Sequence, residues 1–174
     1  MVFLDDVGRR VLWSEYLWDR RQHSCRCQQR PDSPSTIDEV TGLTPYIHFG
    51  GDARDALEFY ADVFGGATQL HTFEEFSRSD GPPGAIAHGY LTDSAISLYG
   101  ADAGSGEPVF HADGLMFSLL GTVRAATLRE WFTKLSDGGE VVDALQRRPW
   151  GAFDGQVIDR YGLHWLIGFE EEED

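Results

Sequence analysis

Six histidines, two cysteines and a set of aromatic rings on strand-like segments are the residues of this chain that could carry chemistry. Cys25 and Cys27 sit in the stretch His23-Ser24-Cys25-Arg26-Cys27. Three soft donors could hold a metal or cycle between redox states, but the C-x-x-C spacing of zinc sites is missing. The plainer reading is a polar extension without a site. The two cysteines are also too close for an ordinary structural disulfide, which fits a reducing cytoplasm. His48 alternates with Ile47 and Phe49, so it belongs to the opposite face of its strand. It could act as a general base or a metal ligand; the expectation is a half-buried histidine packed against the following helix. His71, His88 and His111 fall on or near strands and loops, and no H-x-x-x-H spacing gathers them. These three, and His164, are read as surface or structural residues.

The aromatic residues offer binding more than catalysis. Phe49, Tyr99 and Phe117 lie on segments expected to face a cavity, which they either line or fill. Trp150 follows a proline in a polar loop, where it could stack on a ligand at a pocket mouth or plug one end of a sheet. These four are the candidate ligand-binding residues. Arg147 and Arg148 could attract an anion or form a surface pair. Asp159, shortly before Gly162, is expected to fix a hairpin turn, because aspartate side chains bond nearby backbone N–H groups. No G-x-S-x-G, no P-loop and no G-x-G-x-x-G in a strand–helix setting is present, so the common nucleophile and nucleotide motifs are absent. No catalytic residue is assigned.

The elements that must position these residues follow from periodicity. Pro45 to Phe49 has strand composition, and Gly50-Gly51 breaks it. Asp52 stands where a helix N-cap belongs, its carboxylate able to accept from first-turn N–H groups. Ala53, Ala56, Leu57, Tyr60, Val63 and Phe64 then share one helical face, and Gly65-Gly66 stops the helix. Further strands are expected over Ala67–Phe76, Ala85–Leu91 and Ala95–Tyr99, the last two joined at Thr92-Asp93-Ser94. The pattern then restarts: a strand over Gly114–Gly121, a helix over Val123–Asp137 with Ala125, Leu128, Trp131, Phe132 and Leu135 on one face, a Gly138-Gly139 stop, and strands over Glu140–Leu145, Gly155–Arg160 and Leu163–Phe169. Phe59-Tyr60 maps onto Trp131-Phe132 at an offset of 131 − 59 = 72, and the Gly pairs at 138 − 65 = 73. A repeat of this kind marks a duplicated supersecondary unit. Each β-α-β-β-β unit leaves one sheet face uncovered by its single helix, and a second sheet is needed to bury it.

The totals narrow the class. The chain has 174 residues and a net charge of −15, with Lys134 its only lysine. Residues 1–39 hold six arginines against seven acids, near neutral, so the remainder carries about −14. An acidic surface of this kind repels phosphate backbones, so no nucleic-acid partner is expected. No apolar run reaches the roughly 20 residues of a membrane helix, and no secretory leader is read at the N-terminus. The expected organisation is a poorly structured extension over 1–40, containing a short helix over Val11–Trp18, then one domain over 41–170 with modules at about 43–100 and 114–169, and an acidic tail over 171–174.

The stretches Pro45–Gly66 (PYIHFGGDARDALEFYADVFGG), Gly114–Gly121 (GLMFSLLG) and Pro149–Glu170 (PWGAFDGQVIDRYGLHWLIGFE) resemble the vicinal oxygen chelate superfamily, and most of all its PhnB-like branch. That superfamily includes glyoxalase I, extradiol dioxygenases and fosfomycin resistance proteins. The resemblance implies an α+β fold: two tandem β-α-β-β-β modules forming a curved mixed sheet around a concave pocket, the glyoxalase/bleomycin resistance fold. It also implies a homodimer. Metal-dependent members place His or Glu ligands on the first strand of each module and near its last strand. The matching positions here are Pro45, Ser97, Leu115 and Leu166, which supply no usual ligand set. The expectation is therefore a cytoplasmic homodimer with no metal and no cofactor, which binds a small, partly apolar ligand. One alternative is a glyoxalase- or dioxygenase-type metalloenzyme with a ligand set drawn from His48, His88, His111 or Glu107. Another is a structural or regulatory dimer whose cavity is filled.

Overall fold

The computed structural model describes the backbone of residues 2–4 and 10–12 and the whole of residues 43–170. The expected acidic tail and most of the expected N-terminal extension lie outside the described residues. Strands β1 (Val2–Leu4) and β2 (Arg10–Leu12) pair antiparallel as a separate small unit. The short helix expected over Val11–Trp18 is not formed at its start, because Val11 and Leu12 belong to β2; the rest of that segment lies outside the described residues.

The main unit is a duplicated module. Strand β3 (Tyr46–Phe49), helix α1 (Ala53–Phe64), β4 (Ala67–Thr72), β5 (Ile86–Thr92) and β6 (Tyr99–Asp102) form the first copy. Strand β7 (Phe117–Leu120), helix α2 (Ala125–Ser136), β8 (Glu140–Arg147), β9 (Phe153–Ile158) and β10 (His164–Phe169) form the second. Both helices have 12 residues and are offset by 125 − 53 = 72, the repeat read from the sequence. Each module makes its own four-stranded mixed sheet, ordered β3-β6-β5-β4 and β7-β10-β9-β8. In both, the first strand pairs parallel with the last, and the remaining pairs are antiparallel. Strand β6 falls later than the expected Ala95–Tyr99 segment, because it must reach Phe49 to pair with β3 in the register Tyr46↔Tyr99 to Phe49↔Asp102.

Apolar periodicity fixes what is buried. All six residues of the α1 stripe are buried, and Leu128, Trp131 and Leu135 are buried on α2. They join Ile47 and Phe49 of β3 and Val157, Trp165, Ile167 and Phe169 of β9 and β10 in one core that spans both modules. The helices meet at Phe64 and Trp131, whose rings are edge-to-face at 5.1 Å, and Trp165 packs on Phe64 at 5.3 Å. At the helix ends, Gly66 and Gly139 let the chain pass very close to a strand backbone. A Cβ on Gly66 would lie 2.2 Å from the Thr92 carbonyl, and one on Gly139 would lie 2.4 Å from that of Ile158.

Candidate functional site

Burying Ile47 and Phe49 against α1 turns Tyr46 and His48 to the other side of β3, the side that α1 does not cover. The register then assembles a row of rings. Tyr46 lies beside Tyr99 of β6, and Tyr99 beside Tyr90 of β5. His88, two residues before Tyr90, completes the group. Tyr46 and His88 stack at 5.6 Å, Tyr46 and His48 meet edge-on at 5.7 Å, and Tyr99 meets both His88 and Tyr90 at 5.7 Å. Tyr46 and Tyr99 are 45% and 38% exposed, which is unusual for rings that could have packed inward. The Tyr46 hydroxyl lies 3.1 Å from His88 Nδ1 and 3.4 Å from the Ala87 carbonyl. Its single proton can go to only one of these two acceptors at a time. Partial burial holds the Tyr46 phenol above its ordinary value, and the nearby Glu107 carboxylate adds to this against the opposing Arg78.

A cleft of about 230 Å³ opens next to this face, lined by His48, Phe49, Asp52, Val109, Phe110 and Tyr161. It gathers the end of β3, the start of α1, the linker between the modules and the β9–β10 turn. The linker is held down by the Phe110 N–H, which donates to the His48 carbonyl at 2.8 Å. Asp52 enters the cleft because it does not cap its helix: its side chain makes no capping hydrogen bond. Asp102, buried at the end of β6, takes that role across the sheet. Its Oδ1 accepts from Ala53 N at 2.9 Å and its Oδ2 from Ile86 N at 2.7 Å. The cap expected from Asp52 is thus supplied by a residue 50 positions later, which no local pattern reveals.

Tyr161 is placed by Asp159. Asp159 Oδ1 accepts from the backbone N–H groups of Tyr161 and Leu163 at 2.9 and 3.1 Å, so it fixes the turn as expected. Its Oδ2 also accepts from the Tyr60 hydroxyl and Trp165 Nε1, both at 2.8 Å, which ties α1 to the second module. Burial pushes the Asp159 carboxyl up, and its four donors oppose the shift. The Tyr60 phenol is pushed well above its ordinary range, first by burial and then by the Asp159 charge.

The four residues singled out from sequence are not brought together. Tyr99 is on the open face of the first sheet. Phe49 is on the opposite, core face, and meets Tyr161 edge-on at 6.4 Å. Phe117 packs on Trp165 at 5.4 Å in the second module. Trp150, 51% exposed, stands in the turn between β8 and β9. His48 is half-buried as expected but faces away from α1 rather than against it, since Ile47 and Phe49 fill the helix side. Sequence reasoning passed over Tyr46, His88 and Tyr90 as a group; the alternation Tyr46-x-His48 and His88-x-Tyr90 was the available signal. Arg148 is taken up by Asp154 at 2.6 Å and by Asp143, so it is not free to attract an anion.

The donors do not fit a chelated metal. Ala101 separates His48 from the β5 histidine on the open face, since it pairs with His48 in the register. Glu107 is held by the Gly104 N–H at 2.7 Å and by Arg78 at 3.2 Å. Among the described residues no three His, Cys, Asp or Glu side chains converge as a metal site would need. No helix among the described residues is long and apolar enough to cross a membrane.

Known proteins are similar to this chain in sequence, and solved structures are similar in fold. The family described as 3-demethylubiquinone-9 3-methyltransferase matches residues 41–168. Protein YjdN of Escherichia coli is 26% identical over 146 residues, covering 75% of this chain and 97% of that protein. The crystal structure of protein PA1353 from Pseudomonas aeruginosa is similar with a TM-score of 0.62 and 27% identity, over 75% of this chain and 98% of the other. A PhnB protein from Bacillus cereus, described as a putative 3-demethylubiquinone-9 3-methyltransferase, gives a TM-score of 0.60 at 20% identity, over 73% and 98%, and shows the fold alone. With a duplicated α+β module and a match over most of its length, the chain belongs to the PhnB-like family that carries the 3-demethylubiquinone-9 3-methyltransferase description.

Proposed function

We propose that this protein binds a small, partly apolar ligand without a chelated metal, and that the open face of the first sheet is where the ligand lies. The observation that carries this reading is the contiguous group Tyr46, His48, His88, Tyr90 and Tyr99, with ring centroids 5.5 to 5.7 Å apart along five of its contacts. Such rings offer π faces and hydrogen-bonding edges together, the composition of a ligand platform. The Tyr46–His88 pair supplies polar selectivity by donating to, or accepting from, a group on the ligand. Methyl transfer, the activity in the family's description, fits the geometry less well. It needs a pocket that holds donor and acceptor in line, whereas the platform is an open face on which Tyr46 and Tyr99 are 45% and 38% exposed.

The same reading places the protein in the cytoplasm as a homodimer. Val141 and Val142 on β8 and Leu115 and Met116 before β7 are each more than 40% exposed, which a second copy would cover. The binding reading is tested by calorimetric titration with 2-naphthol as a neutral planar probe. Measurable binding that weakens about fivefold in Tyr99→Ala, the loss of one aromatic contact, is expected. No binding, or equal binding by the variant, overturns it.

A further inference from the structure

Asp52 has an exposed carboxylate that its own helix does not use, and it stands at the edge of a small aromatic-walled cleft. We propose that this cleft is a subsite for a cationic ammonium head on the ligand, with Asp52 as counter-charge and Phe110 and Tyr161 as the walls. The inference deepens the binding reading and rests on it only for the remainder of the ligand, which continues past His48 onto Tyr46 and Tyr99.

Size, charge and wall chemistry agree. About 230 Å³ suits one substituted ammonium group better than a whole ligand. Aromatic rings attract a cation through their quadrupole, and a carboxylate beside them adds a direct charge. Burial raises the Tyr161 phenol first, and Asp55 and Asp52 add to it while Arg160 opposes them, on a chain of net charge −15. Arg54, in the first turn of α1, is the neighbouring cation in sequence, and two others are already engaged. Arg160 donates to the Asp137 carbonyl at 2.9 and 2.7 Å and to its carboxylate, and Arg78 is bound by Asp80 and Glu107. A helix N-terminus ordinarily favours an anion, with about half a positive charge. Here Asp52, Asp55 and Asp102 place three carboxylates against the one guanidinium of Arg54 around the first turn of α1, so negative charge prevails there.

The test is amide chemical-shift titration of the full chain with choline and with its neutral isostere 3,3-dimethylbutan-1-ol. Choline is expected to shift Gly50, Asp52, Phe110 and Tyr161, and the alcohol to bind these amides about tenfold more weakly or not at all. Asp52→Asn, which keeps a good helix N-cap residue, is expected to bring choline down to the affinity of the alcohol. Equal binding of the two probes, or an unchanged choline affinity in Asp52→Asn, overturns the cationic subsite. These outcomes are independent of 2-naphthol, whose failure to bind would remove the platform reading while leaving a choline response at the cleft in place.

Discussion

At the scale of single residues, buried Asp159 is the side chain whose loss should cost most. Its two oxygens accept from Tyr60, Trp165 and two backbone N–H groups. Asp159→Ala leaves all four donors without their acceptor in a site where the aspartate is only 3% exposed. A loss of about 3 kcal/mol or more is expected, since each stranded buried donor costs roughly 1 to 3 kcal/mol. The urea midpoint of the variant measures it. Tyr60→Phe removes one donor and keeps the ring, so about 1 kcal/mol is expected. The pH dependence has a definite sign. The folded carboxyl titrates above its unfolded value because burial disfavours the charge. The native state therefore holds the proton more tightly, and this group's contribution to stability is full below about pH 3.9 and declines as pH rises through the raised folded value. Wild-type stability measured relative to Asp159→Asn should fall over that rise; a difference that grows with pH would contradict the assignment.

At the scale of elements, the N-cap role that local sequence suggests for Asp52 is taken by Asp102. Asp102→Ala should cost about 2 kcal/mol, as it strands Ala53 N and Ile86 N together. Asp52→Ala should stay within about 0.5 kcal/mol, because no side-chain hydrogen bond is lost. Thermal unfolding of the pair decides the order. The helix stops carry a second prediction. Gly66→Ala places a Cβ against the Thr92 carbonyl at a backbone φ of 94°, and should destabilise by about 2 kcal/mol or more. These cases show what the sequence could and could not reveal. The α1 stripe, the glycine stops and the 72-residue repeat are local or periodic, and they were legible. The Asp102 cap and the Tyr60–Asp159 bond join residues 49 and 99 positions apart, and only the folded register makes them visible. The grouping of the aromatic residues was hidden for a related reason. Phe49 and His48 are neighbours on one strand and face opposite ways, so the sequence reading centred on Phe49 did not single out the face that carries His48 and Tyr46, although Phe49 and His48 both line the cleft.

At the scale of the whole molecule, the apolar faces of the helices join a core shared by both modules, while each sheet keeps one face that its own helix does not cover. An acidic chain that exposes apolar residues on both modules should associate with itself, and a mass near twice 19.4 kDa is expected from light scattering. The central claim is that the open face of the first sheet is a ligand platform. Amide chemical-shift mapping with 2-naphthol tests it most directly. The account predicts shifts concentrated at Tyr46, His48, His88, Tyr90 and Tyr99; shifts confined to the second module, or none at saturating probe, would contradict it.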